Sequence, residues 1–142
     1  MSIIRLKIDM SLKFITNAER QTDELDWGNM TWLSNLKLTD AKQLVVIEVN
    51  LAPGKGHDFH RHPNQEEVIY VIQGQIEQWV DQEKRLLSFG ESAFFPANGV
   101  HASFNVGDQP AKVLAILSPN IGEGGYELEE VYHEAPWNTL RQ

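Results

Sequence analysis

Three histidines and one glutamate hold the chemistry this chain can be expected to do. His60 and His62 flank Arg61. In an extended segment alternate side chains share a face, so the two imidazoles point the same way and form a bidentate clamp for a metal ion. An HxH pair alone is equally consistent with two histidines on a polar loop. Glu67 shifts that balance because it opens the apolar run Val68–Ile72. Burying a lone carboxylate there costs on the order of several kcal/mol unless a cation meets it. His101 follows the loop-forming cluster Pro96-Ala97-Asn98-Gly99 and starts another strand-like run. Three imidazole nitrogens with one carboxylate oxygen are a borderline donor set, suited to Mn, Fe, Co, Ni, Cu or Zn rather than Mg or Ca.

The elements that must position these groups read as short strands punctuated by turns. Leu44–Leu51 is rich in β-branched residues and stops at Pro53-Gly54; Val68–Ile72 ends at Gln73-Gly74-Gln75, and Ile76–Val80 follows as its hairpin partner. Lys84–Ser88, Ser92–Phe95, His101–Val106 and Lys112–Leu117 continue the series. This spacing predicts an all-β sandwich or barrel. Ser11–Thr16 and Met30–Leu33 are weaker strand candidates, Asn17–Gly28 reads as polar loop, 39–43 as a turn, and Glu127–His133 as one short helix or a strand.

Composition narrows the class. The chain has 142 residues, enough for one domain with an adequate core. It has no cysteine, which excludes disulfide frameworks, thiolate metal sites and cysteine nucleophiles. Its net charge of −8 excludes general binding of nucleic acid or of an anionic membrane surface. The start of the chain alternates charged and apolar residues, with no continuous apolar stretch of a targeting type, which predicts a cytoplasmic protein.

Two stretches resemble a known family. Gly54, His60, His62, Glu67 and Gly74 read G-x5-H-x-H-x4-E-x6-G; Gly90, Pro96, Asn98, His101 and Asn105 read G-x5-P-x-N-x2-H-x3-N. These are similar to the two motifs of the cupin superfamily, with residues 75–89 between them. The departure is Asn98, where the family usually has glycine; asparagine is the next most tolerant residue of positive φ. The resemblance implies a jelly-roll barrel of two antiparallel sheets. It implies one divalent transition metal (Mn, Fe, Ni or Zn) on His60, His62, Glu67 and His101, with Glu67 also a possible catalytic base. Glu66 is set aside because only Glu67 keeps six residues before Gly74. One domain over 1–142 is expected, with a motif core at 54–105, an N-terminal arm at 1–43 and a C-terminal extension at 119–142.

Strand parity fills in the surroundings. Asp58 shares the face of His60 and His62, whereas His57, Phe59 and Arg61 take the other face. Ile69, Gln78, Ser103 and Asn105 complete the expected pocket lining. His57 and His133 read as surface histidines, and Gly122–Gly125 as an ordinary surface loop. Trp79 and Trp137 read as outward residues of a homodimer face. Unless Lys55 or Arg61 turns inward, the pocket holds no cation, which favours a neutral or aromatic small molecule. The resemblance implies a metal-dependent enzyme, with dioxygenase-type chemistry favoured over isomerisation, decarboxylation or lyase chemistry on that resemblance alone. The alternative is a non-catalytic binding or sensing barrel.

Overall fold

The computed structural model describes residues 13–141. Two antiparallel sheets face each other. The first has the order β1 (Thr22–Leu25), β2 (Gly28–Ser34), β3 (Val45–Leu51), β10 (Ala111–Ser118), β5 (Glu66–Gln73), β8 (Ser92–Phe95). The second runs β11 (Glu129–Glu130), β4 (Gly56–Arg61), β9 (His101–Phe104), β6 (Gln75–Val80), β7 (Glu83–Ser88). This is the jelly-roll arrangement that the resemblance implied, and a case of the all-β barrel that the strand spacing predicted. One short helix, α1 (Leu36–Thr39), is capped by Asn35, whose side chain accepts from Leu38 N.

Alternation builds the space between the sheets. On β3, β10 and β5 every second residue points inward, and the registers align Ile47 with Ala115 and Ile69, and Val45 with Leu117 and Glu67. Met30, Val71, Ile76, Leu87 and Phe95 complete this core. The inward row that contains Glu67 thus brings a carboxylate into apolar surroundings, opposite the second sheet.

A second core lies on the far side of β4, β9 and β6. Phe59, Trp79, Val100, Ala102, Phe104 and Val131 are buried together, with Trp137 and Leu140 packed against them. Trp79 is therefore not on an open face; it is 4% exposed. The reading of it as a dimer-face residue is corrected by the C-terminal segment, which β11 ties to β4 through Glu129↔Arg61 and Glu130↔His60.

Several local expectations shift. Asn17–Gly28 is not all loop, because Thr22–Leu25 pairs with β2 as a hairpin. Lys13–Thr16 forms no strand, and the rest of the Ser11–Thr16 candidate lies outside the described residues. Asn98 has φ 68°, the left-handed conformation its tolerance allowed. Among the described residues no helix is long and apolar enough to cross a membrane.

Candidate metal centre

His60 and His101 are cross-strand partners on β4 and β9. His62 follows the end of β4, and Glu67 faces them from β5. All four are buried, with 2–7% of their surface exposed. The ligand-capable atoms of His60, His62 and His101 lie within 4.8 Å of one another. Glu67 Oε1 sits 3.2 Å from His62 Nε2 and 2.9 Å from His101 Nε2.

The orientation of each ring is fixed by a main-chain carbonyl. His60 Nδ1 bonds Asp58 O at 2.7 Å, His62 Nδ1 bonds Glu127 O at 2.6 Å, and His101 Nδ1 bonds Gly99 O at 2.9 Å. A carbonyl only accepts, so each Nδ1 carries the proton and each Nε2 is left with its lone pair. Three backbone acceptors thus set one tautomer on all three rings, the outer-shell pattern of metal-ligating histidines.

Glu67 Oε1 and His101 Nε2 are close enough for a hydrogen bond but not aligned for one; both are buried without a hydrogen-bond partner. Burying two polar atoms this way is costly. Lone pairs that crowd together without addressing each other are what a shared cation would satisfy. The residues present therefore fit a divalent transition metal.

Charge follows the same layout. Burial alone would raise the Glu67 carboxyl, but His101 and His62 outweigh it and hold it at about 2. Burial pushes His60 well below its ordinary value, with His57, His101 and His62 adding to the effect. In His62 the burial effect is overcome by the Glu67 carboxylate, so its value rises. At neutral pH the site offers an ionised carboxylate and a neutral His60, the forms a metal binds.

Two small lobes of about 50 and 40 Å3 adjoin these groups and share Val49, His57, His60, Glu67 and Ala115. Ile69 and Ser103 line one lobe. Trp27, Met30 and Tyr126 line the other. Neither Lys55 nor Arg61 reaches the chamber; Arg61 Nη2 donates instead to Glu129 Oε1 at 2.5 Å.

Four expectations about the pocket are corrected. Asp58 is exposed, and its side chain accepts from Phe59 N. His57, expected at the surface, lines both lobes. The cause is a bulge: between the pairs His57↔Ser103 and His60↔His101, β4 has two residues and β9 has one. The extra residue reverses parity, so His57 and His60 share the inner face. Gln78 is buried and accepts from Ser103 Oγ at 2.6 Å, but lines neither lobe. Asn105 also lies outside them; its amide donates to Leu51 O and Gln109 O and so closes a loop. His133 is exposed.

Sequence reasoning did not single out Trp27, Tyr126 or Gln65 for the site. Gln65 Nε2 donates to Pro119 O and Gly125 O, and its Oε1 accepts from Glu127 N. That bracket ties residues 119–127 to Gln65, and the same segment presents the Glu127 carbonyl to His62.

The cupin-domain profile matches residues 47–117, half of the chain. The chain belongs to the cupin family. Its match to the polyketide synthase CurC of Streptomyces cyaneus is 35% identical over 69 residues, 49% of this chain and 45% of that protein. KdgF from Halomonas sp. superposes with a TM-score of 0.69 at 21% identity, covering 79% of this cupin and 97% of that chain. Oxalate decarboxylase from Bacillus subtilis superposes with a TM-score of 0.68 at 24% identity, covering 80% of this cupin and 30% of that chain. The two solved structures show the cupin fold alone.

Proposed function

We propose that this cupin is a divalent-metal enzyme acting on a small organic substrate, with His60, His62, Glu67 and His101 as the metal ligands. The observation that carries the proposal is the convergence of three Nε2 atoms and the Glu67 carboxylate, with Glu67 Oε1 and His101 Nε2 buried and unpartnered. When bound, the ion supplies Lewis acidity toward a carbonyl or enolate oxygen. Main-chain carbonyls hold the imidazoles in one tautomer, so no ring must reorient for binding. The walls formed by Ile47, Val49, Ala115 and Leu117 exclude water from the reacting end of the substrate. Glu67, ionised at neutral pH, is both ligand and candidate proton acceptor.

The chamber's size and lining bear on substrate class. It has room for only a few water-sized groups and presents no lysine or arginine. That supports an uncharged or enolisable group over a phosphate or polyanion; the preference for dioxygenase-type chemistry over isomerisation, decarboxylation or lyase chemistry rests on the family resemblance alone. Bacillus subtilis oxalate decarboxylase has Mn(II) centres, and manganese stands beside iron, nickel and zinc as the ions to test. A homodimer was expected from outward tryptophans, and the burial of Trp79 withdraws that ground.

The test strips metal with a chelator and reloads the protein separately with Mn, Fe, Co, Ni or Zn. Turnover and oxygen uptake are then followed on enols, diketones, flavonoids and sugars. One metal form is expected to consume oxygen with a substrate. Tight metal binding without turnover on any of them would favour the second reading, a binding or sensing barrel. Failure to take up any metal would overturn both.

A further inference from the structure

The chamber contains a fourth histidine that the metal assignment does not use. His57 stacks on His60 with ring centroids 3.6 Å apart and an interplanar angle of 10°. On its other side it stacks with Trp27 at 5.2 Å and 13°. The result is a three-ring column, Trp27–His57–His60. It runs from the turn between β1 and β2 to a candidate ligand. Its ring is outside the group whose donor atoms cluster for a metal.

The backbone is shaped to seat this ring. The bulge of β4 turns His57 inward, as described above. Gly56 permits the close approach this requires: a Cβ there would fall 2.4 Å from Phe104 Cδ1 and 2.5 Å from the Ser103 carbonyl oxygen. His101 is held in a parallel way, stacked on Phe95 at 3.9 Å and 3°. Phe95 has no nitrogen, so a flat ring face is sufficient support at that ligand. A hydrogen bond from Nδ1 leaves a ring free to swing about that bond, and a flat neighbour removes the swing.

We propose that His57 is a positioning residue: with Trp27 behind it, its ring face holds the His60 imidazole so that Nε2 points at the metal, and it is not itself a ligand. This rests on the metal reading above. It also ties the N-terminal hairpin to the metal through Trp27.

The experiment titrates the chelator-stripped full chain with Co2+ by calorimetry and records the visible spectrum of each complex. His57→Phe keeps a flat ring without a donor and is expected to bind Co2+ within about threefold of the unaltered protein, with the same spectrum. His57→Ala is expected to bind about tenfold more weakly, the range of outer-shell losses. Trp27→Ala is expected to fall between them. Equal loss in His57→Phe and His57→Ala, with an altered spectrum, would make His57 a ligand and overturn the proposal. Unchanged binding in His57→Ala would overturn it as well. If the unaltered protein takes no Co2+, the metal reading fails separately, and the stack is read in the metal-free protein by NMR. There the His60 ring-proton resonances are expected to move in His57→Ala, which removes the stacked ring's current, and to stay shifted in His57→Phe. No movement in His57→Ala would overturn the stacking role, and the same spectra report whether each variant is folded.

Discussion

Which nitrogen a histidine offers a metal is set by what its other nitrogen bonds. Here Asp58, Glu127 and Gly99 each present a carbonyl to an Nδ1. Removing one imidazole should then remove one donor without disturbing the others. His60→Ala, His62→Ala and His101→Ala are each expected to abolish tight metal binding while the cooperative melt survives, as followed by calorimetry and circular dichroism. Retained affinity in any of them would count against the ligand set. Acid sensitivity follows from the same residues. His57 has its value pushed down to about 4, first by burial and then by His101. A histidine with a lowered folded value binds its proton more readily when unfolded, so stability falls as pH drops from about 6.5 to 4. The chelator-stripped protein should lose up to about 3 kcal/mol through this group across that window, and His57→Phe should flatten the curve. Equal curves for both proteins in urea melts would refute it. The four candidate ligands were legible in sequence because their residue types and spacing match the two cupin motifs. His57 was not, since its inward direction depends on a bulge that parity counting ignores.

Strands carried most of the legible signal. β3, β5, β6 and β10 are dense in β-branched and aliphatic residues that alternate or run together, and their positions follow from that pattern. β1 escaped notice because Thr22–Leu25 is exposed throughout, so it has no buried face to produce a period. The bulge on β4 left a weaker trace, a glycine at position 56 just inside the strand. Gly56→Val tests its role at the level of the element. Added carbons would meet Phe104 and the Ser103 carbonyl at distances no side chain tolerates. The expected loss is at least about 2 kcal/mol of stability, accompanied by weaker metal binding as β4 shifts against β9. A melt unchanged from that of the unaltered protein would show that β4 can slide without cost.

The molecule as a whole depends on a segment whose composition hides its purpose. Glu123, Glu127, Glu129, Glu130 and Glu134 make the C-terminal region look like a solvated tail. The few residues between and after them do the packing: Val131 is fully buried, and Trp137 and Leu140 rest on Phe59, Trp79 and Phe104. Trp137 Nε1 also donates to Asp81 at 3.1 Å, and the Arg141 guanidinium lies 3.5 Å from the centre of the Phe104 ring. The same segment supplies the Glu127 carbonyl to His62, so it serves the outer face of one sheet and the metal chamber at once. The two duties have separate anchors. Gln65 holds residues 119–127 from within the barrel, whereas the Trp137 contacts lie on the outside. Trp137→Ala should therefore cost about 1–3 kcal/mol of stability and leave metal affinity unchanged within about twofold, since sites that share no partner respond independently. Urea denaturation with a parallel metal titration decides this. If affinity falls in step with stability, the covering of the second sheet and the seating of His62 are one cooperative unit, and the metal site is built by the whole C-terminal strap rather than by Gln65 alone.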